Sequence, residues 1–393
     1  MVWTLVFAAV AERISTFLLG APHFAALIFA QCLTAIVASV GAIQNVHFRN
    51  AGRASDFMRA NVTAALLESA SALVGVVVLD LGVWGLVGGP LVARTLVVGG
   101  WSLRIARELP PRFEAAAGRK ALAIGAPLMP RLVVGTIEGG LDRFLLGWLS
   151  SLGHAGLFAL GSRVGSLVFA LTTSLEQVFQ PPMYRMMLEG GDDAARKIGR
   201  HLTPYIYVSI TAAVVIALFI QEVLWVLVTP AFWGAKDIAV VLTAAYGQTV
   251  FGKVIGAQLI FAKRTIYATP ISVVRLGLHA VLAFALIVPF GGLGAALALL
   301  ITAVVVDVFA MWIAQRAFRI QYETGYVLTL LAILYAVVAW VLIVDALGVP
   351  YALDLTVRLG LLAAHAAYGR RWLTRLKEEV RAVLMPAIAA MRA

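Results

Sequence analysis

The sequence has few charged residues and a single cysteine. Only 13% of its 393 residues are Asp, Glu, Lys or Arg, whereas 62% are hydrophobic. A chain of this composition cannot hide its apolar surface in one water-soluble core. The lone Cys32 excludes an intramolecular disulfide and a cysteine-ligated metal site.

Long apolar stretches occur along the whole chain. Each is about 18–26 residues long, enough to cross a hydrocarbon core of about 30 Å as a helix. The sequence predicts an all-α polytopic membrane protein with about twelve transmembrane helices. They lie near residues 1–20, 24–46, 60–81, 84–103, 124–150, 154–180, 203–228, 238–262, 266–289, 293–315, 326–345 and 351–368.

Basic residues are concentrated in alternate connections between these spans. One set carries 22 of the 31 lysines and arginines, and the other set carries only Lys236. The basic set comprises the connections around 47–59, 104–120, 183–202, 263–264 and 316–319 and the tail from Arg370. The positive-inside rule makes this set cytoplasmic, so both termini are expected inside. We expect the tail to be a basic amphipathic helix on the membrane surface, and we expect the cations to contact lipid headgroups, not nucleic acid.

The other connections are too short to hold a soluble catalytic domain. The six histidines show no metal-ligand spacing, and no GxxxxGK[ST] motif is present. We therefore expect no catalytic residues, no metal and no cofactor. A polysaccharide polymerase or a membrane acyltransferase is disfavoured for the same reasons.

A short pattern occurs twice, about 210 residues apart. A phenylalanine-led basic loop leads through one span to a glycine-rich hairpin, first from Phe48 to Gly82 and again from Phe261 to Gly291. Because both copies have the same orientation, the pattern predicts two pseudo-repeated lobes. The expected parts are a four-span lobe at 1–103, a linker at 104–120, a six-span lobe at 121–316, two further spans at 317–368 and the tail at 369–393.

Eight cations lie within the predicted spans. A charge facing lipid costs about 2.5–3.5 kcal/mol, so each should face a partner or water. They are Arg13, Arg94, Arg131, Arg143, Arg163, Lys253, Arg275 and Arg358. For three of these, ion pairing or snorkelling is the favoured interpretation. Arg13 adjoins Glu12, Arg275 lies near the cytoplasmic end of its span, and Arg358 follows Asp354 by one helical turn.

Polar residues also form stripes on two neighbouring spans. In the span 154–180 a sector of about 100° contains Arg163, Ser166, Thr173, Ser174 and Gln177. The span 124–150 has a similar polar side, formed by Arg131, Glu138 and Asp142, with Arg143 further round.

These stripes predict a cation-lined cavity between two lobes, suited to an anionic substrate. The predicted substrate-binding cations are Arg94, Arg131, Arg143, Arg163, Lys253 and Arg275. Coupling to a proton or a sodium ion is predicted to use Glu138, Asp142 or Glu176, because a carboxylate inside a membrane can exchange a proton for the substrate.

Four motifs resemble those of the oligosaccharide flippase, or polysaccharide transporter, family. That family belongs to the multidrug, oligosaccharidyl-lipid and polysaccharide exporter superfamily. The motifs are GAPLMP at 125–130, LDRFLLG at 141–147, AGLFALGSR at 155–163 and PPMY at 181–184. Asp142 and Arg143 match the family's Asp-Arg pair, and Arg163 matches its basic position. Family members usually begin two spans earlier, so the resemblance implies that the first lobe here lacks its first two spans.

The resemblance implies a flippase of the bacterial inner membrane. Its substrate would be an oligosaccharide linked to polyprenyl pyrophosphate, moved from the inner to the outer leaflet for surface polysaccharide assembly by alternating access. Membrane lipids and a polysaccharide polymerase machinery are the other implied partners. A multidrug exporter, a peptidoglycan-precursor exporter and a non-transporting truncated remnant stay open as alternatives.

Overall fold

The computed structural model describes most of the chain. The described residues are 24–51, 53–109, 129–190, 193–344 and 347–370, with single positions between 11 and 16 and between 115 and 119. The predicted span 1–20, much of the linker and nearly all of the tail lie outside these residues. The chain divides into two compact units, Met1–Ala123 and Ile124–Ala393. The finer division into lobes and extra spans stays a prediction.

Three long helices are described in the first unit. They are α1 (Ala25–Asn50), α2 (Ala54–Leu73) and α3 (Val83–Glu108). A π-helical turn, Val74–Val78, continues α2 toward the hairpin. Helix α3 packs against both α1 and α2.

The described part of the second unit is also helical. Its helices are α4 (Met129–Leu149), α5 (Leu152–Glu189), α6 (Ala194–Leu218), α7 (Ile220–Leu227), α8 (Lys236–Phe261), α9 (Ala268–Ala317), α10 (Thr324–Ile343) and α11 (351–370). Two short 3-10 helices, Pro230–Ala235 and Thr265–Tyr267, precede α8 and α9. Helix α8 is buried on nearly all sides because α5, α6, α9 and α10 pack around it. A helix that is apolar all round suits this central position.

The prediction of an all-α polytopic membrane protein is confirmed. Within the described residues, eight helices are long and apolar enough to cross a membrane. Helix α9 is one of the eight, but it contains two predicted spans as two arms that meet at Gly291. Helices α4 and α11 occupy the predicted spans 124–150 and 351–368.

Helix α5 is longer than the predicted span at 154–180. Its 38 residues correspond to about 57 Å at 1.5 Å per residue, well beyond a hydrocarbon core of about 30 Å. Ser151 caps the first turn by accepting a hydrogen bond from the backbone of His154, and Gly190 ends the helix with a φ of 65°. The prolines at 181 and 182 lie inside the helix and do not end it. The predicted connection 183–202 is therefore largely helical.

The glycine hairpins of the two units have the same backbone conformation. Gly82 has φ 52° and ψ −126°, and Gly291 has φ 54° and ψ −129°. This region of backbone space is open to glycine and strongly disfavours other residues. The common turn agrees with the repeat predicted from sequence.

Close backbone contact follows each hairpin. A Cβ atom built on Gly85 would lie 2.6 Å from the Gly75 carbonyl oxygen, and one built on Gly294 would collide with the Leu286 carbonyl. Glycine at these positions allows the two arms of each hairpin to pack backbone against backbone, as small residues do between membrane helices.

The basic loops are also alike in their packing. Phe48 meets Trp101 edge to face at 5.1 Å in the first unit, and Phe261 meets Phe318 edge to face at 5.4 Å in the second. Each loop therefore packs its leading phenylalanine on an aromatic ring at the end of its hairpin.

A buried arginine holds α11 in place. Arg358 is 2% exposed and donates hydrogen bonds to Asp354, to the Leu218 carbonyl at 2.7 Å and to Glu222 at 3.0 Å. Trp340 of α10 donates to Asp354 at 2.9 Å. The structure therefore gives Arg358 the ion-pairing role favoured from sequence, and it links α11 to α6, α7 and α10.

We predict that Gly85→Ala destabilises the first hairpin. The added methyl group meets the backbone of Gly75 and Val76, so the arms must separate, at a cost of about 1–3 kcal/mol. Gly100→Ala in the same helix is the control, because a Cβ there meets nothing within 4 Å. Thermal unfolding of the purified variants in detergent measures the difference. Equal midpoints would show that the close packing adds no stability.

Candidate functional site

A polar cavity lies inside the second unit. Its volume is about 460 Å³, and residues of α4, α5, α8 and both arms of α9 line it. The polar lining residues are Glu138, Glu176, Gln180, Thr249, Lys253, Arg275 and Asp307. Gly252 and Gly256 face the cavity from α8, and their lack of side chains leaves room for a ligand. We call this the charged cavity.

One ion pair in the charged cavity joins α5 to α8. Lys253 Nζ lies 2.6 Å from a carboxylate oxygen of Glu176, and both side chains are mostly buried. The Lys253 ammonium also lies 5.0 Å from the centre of the Phe169 ring. Tyr246, which the sequence places on the same face as Lys253, contacts Phe169 edge to face.

A second ion pair joins the two arms of α9. Arg275 Nη2 lies 2.6 Å from Asp307 Oδ1, and only 6% of the Asp307 side chain is exposed. The pairing interpretation of Arg275 therefore agrees with the structure. Because Arg275 also lines the cavity, it remains a candidate to bind substrate.

A buried acid and histidine pair lies beside the cavity. Asp142 of α4 is hydrogen bonded to His279 of α9 at 2.9 Å. Glu138 lies one turn before Asp142, and Arg275 lies one turn before His279, so the two helices place acids opposite bases. Glu138 itself faces the cavity.

Arg94 lies in the first unit and also has an acidic partner. Its Nε and Nη2 atoms donate to the two carboxylate oxygens of Glu68 at 2.6 and 2.9 Å. Arg94 of this bidentate pair borders a smaller cavity of about 160 Å³, which Gln44, Asn45 and Asn61 also line.

The two units arrange their hairpin ion pairs with opposite polarity. In the first unit the acid, Glu68, precedes the hairpin glycine and Arg94 follows it. In the second unit Arg275 precedes Gly291 and the acid, Asp307, follows it. Each hairpin thus holds one internal ion pair deep between its arms.

The remaining predicted cations lie elsewhere. Arg143 and Arg163 are exposed, and neither forms an ion pair within the part of the chain that the structure describes. The side chain of Arg131 lies outside the described residues. On the polar stripe of α5, Ser166, Thr173 and Ser174 donate to carbonyls of their own helix. Within the second unit, the structure therefore gathers four predicted residues at one cavity and leaves Arg143 and Arg163 out of its lining. The four are Glu138, Glu176, Lys253 and Arg275.

The sequence reasoning missed two residues at this site. Neither Asp307 nor His279 is among the site residues that the sequence predicts. A usable signal was present, since Arg275 and Asp307 lie equally far along the chain from Gly291. A hairpin at that glycine brings the two side chains to the same depth.

An apolar cavity adjoins the charged one across α9. It has a volume of about 260 Å³, and α8, α9, α10 and the connection before α10 line it. Asp307 borders both cavities, while Phe251, Val308, Met311, Val327, Leu328 and Leu331 make the second one apolar. Tyr322, outside the spans, lies at its edge, and burial raises the pKa of its phenol, which keeps it a neutral donor.

We predict that Asp307→Ala destabilises the protein and that exchanging the two charges restores it. Loss of the acid leaves Arg275 without its partner, at a cost of about 3 kcal/mol, reduced by the partial exposure of Arg275. The double variant Arg275→Asp with Asp307→Arg has the polarity that the first unit already contains. Thermal unfolding in detergent is the measurement. A double variant no more stable than either single charge reversal would contradict a pairwise interaction.

Comparison with known proteins agrees with the fold. The chain matches a solved structure of the lipid II flippase MurJ in an inward closed conformation, with a TM-score of 0.63 and 12% sequence identity. The match covers 89% of this chain and 73% of the flippase, and it supports the helical fold. No curated protein sequence matches significantly.

A family model adds sequence support for the same class of protein. The model described as polysaccharide biosynthesis protein matches residues 1–235, more than half of the chain. The structural match agrees with a multi-pass helical membrane protein. The chain belongs to the polysaccharide biosynthesis protein family.

Proposed function

We propose that this protein flips an oligosaccharide linked to polyprenyl pyrophosphate across the bacterial inner membrane, with both termini in the cytoplasm. The main observation that supports this proposal is the charged cavity, in which Lys253 and Arg275 face a space large enough for a pyrophosphate group. Family membership and a flippase-like fold support a lipid-linked substrate.

The two adjoining cavities suit the two parts of such a substrate. A pyrophosphate needs cationic partners, which Lys253 and Arg275 supply. A polyprenyl chain needs apolar surroundings, which the neighbouring cavity across α9 offers. Because Asp307 borders both cavities, the proposed sites for the two parts of the substrate are neighbours.

Substrate binding requires a change of ionic partners. Glu176 and Asp307 neutralise Lys253 and Arg275 in this structure. A pyrophosphate must therefore take the place of these carboxylates. A displaced carboxylate in apolar surroundings favours uptake of a proton, so substrate binding and protonation support each other.

The same exchange provides a route to release. When the carboxylates of Glu176 and Asp307 pair again with the two cations, they displace the pyrophosphate. Glu138 lines the same cavity, and Asp142, held by His279, lies one turn away on α4. These two acids are additional candidates for coupling to a proton or a sodium ion.

A peptidoglycan precursor is a second candidate substrate. The solved structure that this fold resembles is a lipid II flippase, and lipid II shares the polyprenyl pyrophosphate group. The charged cavity recognises that group in either substrate. The attached sugars must then distinguish them, and a polysaccharide polymerase machinery is the proposed recipient of the flipped product.

Translocation in proteoliposomes tests the proposal. The reconstituted protein should move a fluorescent polyprenyl-pyrophosphate oligosaccharide between leaflets, and the double variant Lys253→Ala with Arg275→Ala should reduce the rate by about a hundredfold, equivalent to about 2.7 kcal/mol. Lipid II in a parallel sample distinguishes the two substrates.

Two results would contradict the proposal. Wild-type protein that moves neither lipid is not a flippase of this class. An unchanged rate in the double variant, at equal reconstitution, would place the substrate outside the charged cavity.

We further predict that Glu176→Gln strengthens substrate binding and slows translocation. The amide no longer competes for Lys253 as a carboxylate does, so substrate affinity should rise about tenfold. Release should slow because position 176 no longer has a carboxylate that can pair again with the Lys253 ammonium. Substrate binding and translocation rates measure both effects. Glu189→Gln, at the exposed end of the same helix, is the control, and equal behaviour of the two variants would exclude the exchange.

A further inference from the structure

A third cavity of the second unit lies at the opposite end of α8 from the basic loop. It has a volume of about 340 Å³ and is formed by α7, the 3-10 helix Pro230–Ala235 and the first turn of α8. Its lining residues are Gln221, Leu224, Trp225, Trp233, Gly234, Lys236 and Asp237. The charge pattern of the sequence predicts that this connection lies outside the cytoplasm.

Two indole rings form one wall of the cavity. The rings of Trp225 and Trp233 lie 6.0 Å apart at an angle of 54°, and Tyr351 supports Trp225 from α11 at 5.4 Å. Trp225 is 40% exposed and Trp233 is 43% exposed. Each indole therefore presents free aromatic surface while its neighbours fix its position.

Hydrogen-bonding groups stand beside these rings. The Asp237 side chain is 46% exposed, and Lys236 lies almost buried with its ammonium 4.0 Å from the Asp237 carboxylate. The Gln221 amide makes no hydrogen bond within the described chain. A carboxylate, an ammonium and an amide thus lie together in one small space, where they can accept and donate hydrogen bonds.

We propose that this cavity binds a neutral sugar ring. A pyranose has an apolar face of C–H groups, which packs on an aromatic ring, and an edge of hydroxyl groups, which pairs with carboxylate and amide side chains. Aromatic walls with a few placed polar groups are typical of small-ligand sites. The exposed Asp237 carboxylate repels an acidic sugar, so a neutral one is favoured.

An interfacial aromatic belt explains less of this arrangement. Belt tryptophans lie at the level of the lipid headgroups and require no cavity. Here the two indoles share a concave surface with Lys236 and Asp237. Resting on the proposed function, the site would receive the leading sugar of the flipped substrate as it emerges from the membrane.

Saturation-transfer NMR on the full protein in detergent tests this site. Maltotetraose and chitotetraose serve as neutral probes, and tetragalacturonate serves as the acidic probe. We expect saturation transfer to at least one neutral probe and weaker transfer to the acidic one. Trp233→Ala should weaken binding about tenfold, and Trp233→Phe, which keeps an aromatic face, should recover most of it.

The control is Trp312→Ala. Trp312 is 52% exposed on α9, stacks on Phe309 and lies outside this cavity. Equal losses in Trp312→Ala and Trp233→Ala would overturn the proposal, as would wild-type protein that binds neither neutral probe. Translocation of the fluorescent lipid separates the two ideas. Flipping without sugar binding rejects the sugar site alone, whereas sugar binding without flipping rejects the proposed function alone.

Discussion

The free-energy cost of an unpaired charge in apolar surroundings determines how the charged residues of this protein are arranged. Lys253, Arg275 and Arg94 each lie beside a carboxylate on another helix or on the other arm of a hairpin. Pairing lowers the cost of burial without removing it, because each charge still gives up its hydration. When a polar or charged ligand replaces one of these partners, the net change in free energy is therefore small. The charged cavity combines stability when empty with readiness to bind.

The sequence predicted the fold class and the number of spans well, because length, hydropathy and the distribution of basic residues are local properties. It also identified the two glycine hairpins, since the turn at Gly82 and Gly291 depends on one residue type. Partners across helices were harder to predict. Helical periodicity places Glu176 and Lys253 on faces of their own helices, but it does not show that those faces meet.

The site was predicted in part for the same reason. Four of the charged residues named from sequence line the charged cavity, and their roles in binding and coupling stay predictions. In the structure, the acidic partners contribute as much to the site as the cations do, whereas the sequence analysis emphasised the cations. The aromatic cavity at Trp225 and Trp233 depends on a short loop folding back on a helix end, which periodicity alone does not reveal.

Helix α5 connects the charged cavity to the rest of its unit over about 57 Å. It carries Glu176 and Gln180 into the cavity, and directly after them the prolines at 181 and 182 leave two carbonyls without intrahelical partners. Such a helix bends most easily at the prolines, directly beside the residues that line the cavity. Residues 152–180, before the prolines, form an arm of about 44 Å, so a bend of about 10° at the prolines displaces its far end by about 8 Å. A small change in ionic partners at Glu176 can thus become a large movement at the membrane surface.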